Sequence, residues 1–247
     1  LFERPEQTLV ERFARGLWRW AQHLRLPAYA GEMRYPTGPC LWAGDMAVSW
    51  YYVSARPLDR QVFQRKLEAA DERGRRALRD LAAAWEDHRF PGGYTHSIPH
   101  YERVLREGLD GYAARVASAL ELSGTQEPAA FFRAMQTALE AARVLHRRIV
   151  AELEGTDAAG DPILAQRRQM LLAAYRRVPF APATSFVEAA VATNFVFYLD
   201  GCDDLGRYDQ YLGPFLEHDL DAGSVARPTA LDLVRAQWRN VDDASAW

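Results

Sequence analysis

Lysine is nearly missing from this 247-residue chain: Lys66 stands alone among 30 basic residues. With so many alanines beside it, the bias reads as coding preference and not as chemistry. Cysteine is almost as scarce. Cys40 and Cys202 are the only two, too few for a disulfide framework or a zinc site, and they point to a reducing, cytoplasmic setting. No apolar run reaches the length of a membrane span. The chain opens at Leu1, without a methionine and without a basic-then-apolar leader, which suggests a processed chain or a fragment and shows no signal peptide. A formal charge of -3 gives no reason to expect a nucleic-acid partner. There is no Gly-x-Gly-x-x-Gly or Walker loop, no Gly-x-Ser-x-Gly elbow, no repeat and no low-complexity tract. Alternating strand patterns and Asn-Gly hairpins are absent too.

What is present reads as mostly α. A hydrophobic share of 49% is ordinary for a globular chain, and the length suffices for one large helical domain over 1–247. Glu6 to Leu24 carries Leu9, Phe13, Leu17, Trp20 and Leu24 near helical spacing, and Pro27 ends it. Residues Pro27 to Trp50, rich in Gly, Pro and aromatics, read as irregular. Pro57 to His88 reads as a long helix with a break at Gly74. Ser97 is placed to cap a helix running from Pro99 to Leu122. Glu127 to Glu154 buries one stripe of Phe132, Met135, Leu139, Ala142, Leu145, Ile149 and Leu153. Asp161-Pro162 opens a helix, Ser185 and Glu188 have capping-box spacing for another that runs through Phe195 to Leu199, and Leu205 to Leu220 and Pro228 to Trp238 are the last two. His146 and His218 stand singly on helices and read as surface residues. Arg147-Arg148 and Arg167-Arg168 read as solvated faces.

The chemistry concentrates where the apolar run 195–199 gives way to polar residues. Asp200, Asp203, Asp204 and Asp209 crowd around Arg207. Carboxylates at that density must be paired, metal-bound or solvated, because bare buried ones are too costly.

Leu205-Gly206-Arg207-Tyr208-Asp209-Gln210-Tyr211-Leu212, followed by Pro214-Phe215 and Asp219-Leu220, resembles a segment of the glycyl radical enzymes, the pyruvate formate-lyase-like family. His96-Ser97-Ile98-Pro99, Tyr101, Val104-Leu105 and Gly108 are similar to a second segment. Val178-Pro179, Pro182-Ala183 and Ser185 to Ala189 are similar to a third. The resemblance covers roughly 90–240 and is loose before it. It implies the helical N-terminal part of a β/α barrel, with at most a short first barrel strand near 195–200. It also implies a wall of the substrate pocket, with His96 and Tyr94 facing a small-molecule substrate and Arg207, Asp209 and Gln210 as a structural motif. An Arg207–Asp209 pair is expected to be buried and to brace that strand. The radical cysteine and glycine loops of such enzymes have no counterpart here. The resemblance therefore implies a partner, either the remainder of the enzyme or a second subunit. It further implies a glycyl radical in that missing part, installed by a radical S-adenosylmethionine activating enzyme, for lyase chemistry under anaerobic conditions.

Two other readings stay open. Asp203, Asp204 and Asp209 spell an Asp-Asp-x-x-x-x-Asp pattern that, on one helix face, would bind Mg²⁺ and a diphosphate as in the all-α isoprenoid synthases. A non-catalytic helical binding module is the third.

Overall fold

The computed structural model describes residues 7–37, 64–86, 98–199 and 204–245. The chain divides into two compact units, one of Leu1–Pro39 with Ile98–Trp247 and one of Cys40–Ser97. Every element named below is an α-helix, and no strand occurs among the described residues.

In the larger unit, α1 (Leu9–His23) starts where Thr8 caps it. The Glu11 amide donates to Thr8 Oγ1 at 3.4 Å and the Glu11 carboxylate accepts from the Thr8 amide at 3.0 Å. This reciprocal box satisfies two donors that the first turn leaves open. α1 lies along α4 (Gln126–Gly155). The buried positions of α4 are Ala130, Ala134, Ala141 and Ala142, then Leu145, Ile149 and Leu153, whereas Phe132, Met135 and Leu139 are only half-buried. Alanines on α4 and on α1, where Ala14 and Ala21 are buried, allow a close approach that phenylalanine would not. Arg148 closes the far end of α1, donating to the carbonyls of Ala21, at 2.8 Å, and Leu24. Arg167 and Arg168 likewise donate to the carbonyls of Gly31 and Thr156. Of the four arginines expected on solvated faces, only Arg147 is exposed and paired on its own helix, with Glu140. The other three satisfy open carbonyls at helix ends and turns.

α3 spans Tyr101–Glu121, capped by His100, whose Nδ1 accepts from the Arg103 amide at 3.4 Å. The expected cap, Ser97, lies outside the described residues. α5 (Pro162–Tyr175) begins as expected. Asp161 accepts from the amides of Ile163 and Leu164 at 3.0 and 2.9 Å, and proline takes the first turn.

α6 (Phe186–Leu199) is buried on all sides, from Phe186 and then Ala189 through Tyr198. The helix read through Phe195 to Leu199 is there, and residues 195–199, where the resemblance allowed a short strand, are its last turns. Uniform burial erases the 3.6-residue pattern, so an all-apolar helix and a buried strand look alike in sequence. Half of the expected capping box forms, from the Glu188 amide to Ser185 Oγ at 3.2 Å. The Glu188 carboxylate instead accepts from Thr184 N and Oγ1 and pairs with Arg177 at 3.2 Å. α7 (Tyr208–Asp221) and α8 (Arg227–Ser245) complete the unit.

In the smaller unit a helical run at 64–69 precedes α2 (Glu72–Glu86). The break falls at 70–71, not at Gly74. Asp71 takes the Gly74 amide at 2.7 Å and so caps α2, leaving Gly74 inside the first turn.

Candidate functional site

The site is best built from the glycines that let its walls meet. Gly108 interrupts α3 at φ 67°, ψ 169°, a conformation essentially reserved for glycine. The freed amides of Leu109 and Asp110 donate to the carbonyls of Pro179 and Phe180 at 2.8 and 3.1 Å, and the Ala183 amide returns to the Leu105 carbonyl at 2.9 Å. Segment 179–183 is thus stitched into the gap in α3. It lies so close that a Cβ on Gly108 would sit 2.0 Å from the Phe180 carbonyl oxygen.

His146, on α4, holds the other side of this stitch. Its ring meets Phe180, Tyr175 and Phe195 edge to face at 5.1, 5.5 and 6.2 Å, and Nε2 lies 2.8 Å from the Tyr175 carbonyl. That bond is made by an Nε2–H donor. The surface position expected for His146 is therefore corrected, because an aromatic cage encloses it; His218 is exposed as expected. Burial pushes the His146 pKa below its ordinary 6.5, partly opposed by the Tyr175 carbonyl. A depressed folded value means that the unfolded chain binds the proton more readily. The cage's contribution is complete above about pH 6.5 and is lost as pH falls through the folded value. Urea midpoints are expected to drop between about pH 7 and pH 5, and His146→Gln is expected to flatten that slope. An equal slope in both proteins would remove His146 as its source.

The 204–215 segment packs onto the start of α3. Tyr101 donates its hydroxyl to the Asp204 carbonyl at 2.9 Å, and its ring stacks on Tyr211 at 5.2 Å. Tyr211 in turn donates to the Leu205 carbonyl at 2.8 Å. Gly206, at φ 57°, lies against Ile98 so closely that a Cβ would meet its side chain at 2.7 Å. Further along, buried Asp219 accepts from the Phe186 amide at 2.7 Å and so caps α6 from α7.

Arg34 is the residue that sequence reasoning missed. It is fully buried, and its guanidinium donates to four neutral oxygens. These are the Leu233 carbonyl at 2.7 Å, the Ala190 carbonyl at 2.9 Å, Gln237 Oε1 and the Tyr208 hydroxyl at 2.5 Å. Burial lowers its pKa, and the contact with Tyr208 works against that. Next to it, buried Asn240 donates to Asn194 Oδ1 at 2.8 Å, and Asn194 donates to the Pro36 carbonyl at 3.1 Å. The available signal was an arginine set between Met33 and Tyr35 in an aromatic-rich stretch.

Between the stitched α3 and the start of α7 lies a recess of about 650 Å³ lined by Leu105, Arg106, Ala183, Arg207, Gln210 and Phe215, among others. Arg106 faces Glu107 at 3.4 Å and Glu102 at 3.9 Å. Arg207 and Asp209 are both exposed, which corrects the expected buried pair. Among the described residues the buried arginine is Arg34, which joins α6, α7 and α8. Gln210 is exposed beside them. Tyr94, His96 and Asp203 lie outside the described residues, as do Cys40 and Cys202. Asp204 accepts from the Gly206 amide at 2.7 Å, and the helix begins only at Tyr208. Asp204 and Asp209 therefore do not share a helix face, and Asp203, the third aspartate of the diphosphate reading, is not among the described residues. Among the described residues no cluster of His, Cys, Asp and Glu could hold a metal ion.

The joints just described, at Gly108, 178–183, Gly206 and Asp219, fall on the segments that carry the family pattern, and that pattern, pyruvate formate lyase-like, matches residues 52–246. The chain belongs to the pyruvate formate lyase-like family. It is similar to the isethionate sulfite-lyase of Nitratidesulfovibrio vulgaris, at 30% identity over 100 residues, 38% of this chain and 12% of that protein. The fold is similar to a glycyl radical enzyme from Archaeoglobus fulgidus, with a TM-score of 0.71 and 20% identity, over 97% of this chain and 36% of that one. It is also similar to the B12-independent glycerol dehydratase of Clostridium butyricum, with a TM-score of 0.66 and 19% identity, over 98% of this chain and 36% of that one. This family member thus spans about a third of the length of those solved relatives. No described helix is long and apolar enough to cross a membrane.

Proposed function

We propose that this chain is the N-terminal helical portion of a pyruvate formate-lyase-like glycyl radical enzyme and forms one wall of its substrate barrel. The observation that carries the reading is the joining of α3, α6 and α7 by glycines and caps that lie on family segments. Support comes from the family match and from a fold shared with about a third of two radical enzymes. In this reading Tyr94 and His96 face the substrate, and a hydrogen bond from His96 orients a hydroxyl or carboxylate. The recess between α3 and α7 belongs to the packing between the wall and the rest of the enzyme. The remaining polypeptide, or a second subunit, brings the cysteine and glycine loops. The glycyl radical there, installed by a radical S-adenosylmethionine enzyme, supplies hydrogen abstraction for lyase chemistry.

The test is anaerobic co-expression of this chain with a polypeptide carrying those loops and with the activating enzyme. A glycyl doublet in electron spin resonance is expected only when the loop-bearing polypeptide is present. The same doublet on this chain alone would overturn the assignment. In the reconstituted enzyme His96→Ala is expected to lower turnover without changing helical content. Unchanged turnover would leave His96 as a brace for the start of α3.

A further inference from the structure

A second cavity, of about 510 Å³, lies where the 30–37 segment meets α5 and α8. Its wall carries three guanidinium groups, Arg167 from α5 and Arg235 and Arg239 from α8, against two carboxylates, Glu32 and Asp232. Arg235 and Arg239 stand four residues apart and so share one helix face. The guanidinium groups outnumber the carboxylates by one. Asp232 lies 3.8 Å from Arg235, with both side chains largely in solvent, where such a pair contributes little. Glu32 already accepts from the Ala30 amide at 3.0 Å. Arg167 is fixed at the wall by a bond to the Gly31 carbonyl, at 2.8 Å, and its guanidinium has no other hydrogen-bond partner among the described residues. Neither Arg167 nor Arg239 has a carboxylate partner among the described residues.

We propose that this cavity binds a phosphate-type anion. Guanidinium forks match the oxygens of phosphate two at a time, and a doubly charged anion can engage forks on α5 and α8 together. A single carboxylate would engage one fork. The cavity has room for more than a bare phosphate, so the free ion and a phosphorylated small molecule are the two sources of the same chemistry. The site is independent of the radical-enzyme reading.

Calorimetric titration of the full chain with inorganic phosphate, and separately with pyrophosphate, at matched ionic strength in chloride, tests the proposal. Saturable binding of at least one probe is expected. Arg167→Ala and Arg239→Ala should each weaken it about tenfold or more, whereas Arg147→Ala, on α4, should not. Tighter binding of pyrophosphate would point to a phosphorylated molecule, and binding of phosphate alone to the free ion. No hydrogen bond or ion pair holds Arg239 among the described residues, so its replacement leaves the fold intact even if Arg167→Ala does not. No saturable heat with either probe, or wild-type affinity in Arg239→Ala, would overturn the site.

Discussion

Gly108→Ala is expected to destabilise the larger unit by roughly 4 kcal/mol. Two costs combine. Alanine at φ 67°, ψ 169° is held in a region that only glycine occupies freely, at about 1–3 kcal/mol. Its methyl carbon would also be placed 2.0 Å from the Phe180 carbonyl oxygen, which no rotamer can relieve, because both groups are backbone-fixed. Segment 179–183 must then retreat, and the bonds from Leu109, Asp110 and Ala183 lengthen or break. Phe180 retreats with it, away from Arg143, whose guanidinium carbon lies 4.4 Å from the ring centre, and away from the His146 cage. For a chain of this size the melting temperature should fall by about 10 °C. Gly124→Ala is the matched control, since nothing lies within 4 Å of a Cβ there and its φ is not positive. A melting temperature for Gly108→Ala within a degree or so of wild type would show that α3 is not pinned at this point.

Gly108 also shows what a single sequence can and cannot reveal. The helix over 101–121 is legible from Val104, Leu105, Leu109 and Val116, all buried as the spacing requires. The break inside it is not, because its cause is the Phe180 carbonyl, 72 residues away. Caps behave the other way. Asp161 and Thr8 act within three residues of their own position, so the start of α5 could be read directly. The capping serine and the apolar run marked α6 as a helix through Leu199, but burial on every side removed the period that separates helix from strand and left room for the strand that the resemblance allowed at its end. The Arg207–Asp209 expectation failed. The resemblance implied a pair, yet both side chains are exposed at the start of α7. The letters of that segment that fold the protein include Leu205, Gly206, Tyr208, Tyr211, Leu212 and Asp219. The candidate site as a whole was legible as a set of segments and not as a geometry, because the contacts that join them are long-range.

Arg34→Ala is expected to cost roughly 3–5 kcal/mol, close to the loss at Gly108. Arg34 is a buried cation whose bonds run to neutral oxygens. The guanidinium tolerates this because its charge is spread over a planar fork with donors in several directions. Removing it strands the Leu233 and Ala190 carbonyls, Gln237 Oε1 and the Tyr208 hydroxyl without their donor, and leaves a cavity between α6 and α8. Arg34→Lys should recover only a small part of the loss. An ammonium has three donors from one point and cannot reach acceptors on α6, α7 and α8 at once. Arg34→Met separates the two contributions, since it fills much of the space while removing both the buried charge and its bonds. If the charge itself is the main burden, Met should be better tolerated than Lys. If the four bonds outweigh it, Lys should be the milder change. Urea denaturation of the three variants reads this order directly. Alanine within about 1 kcal/mol of wild type would mean that the 30–37 segment does not hold α6, α7 and α8 together through this side chain.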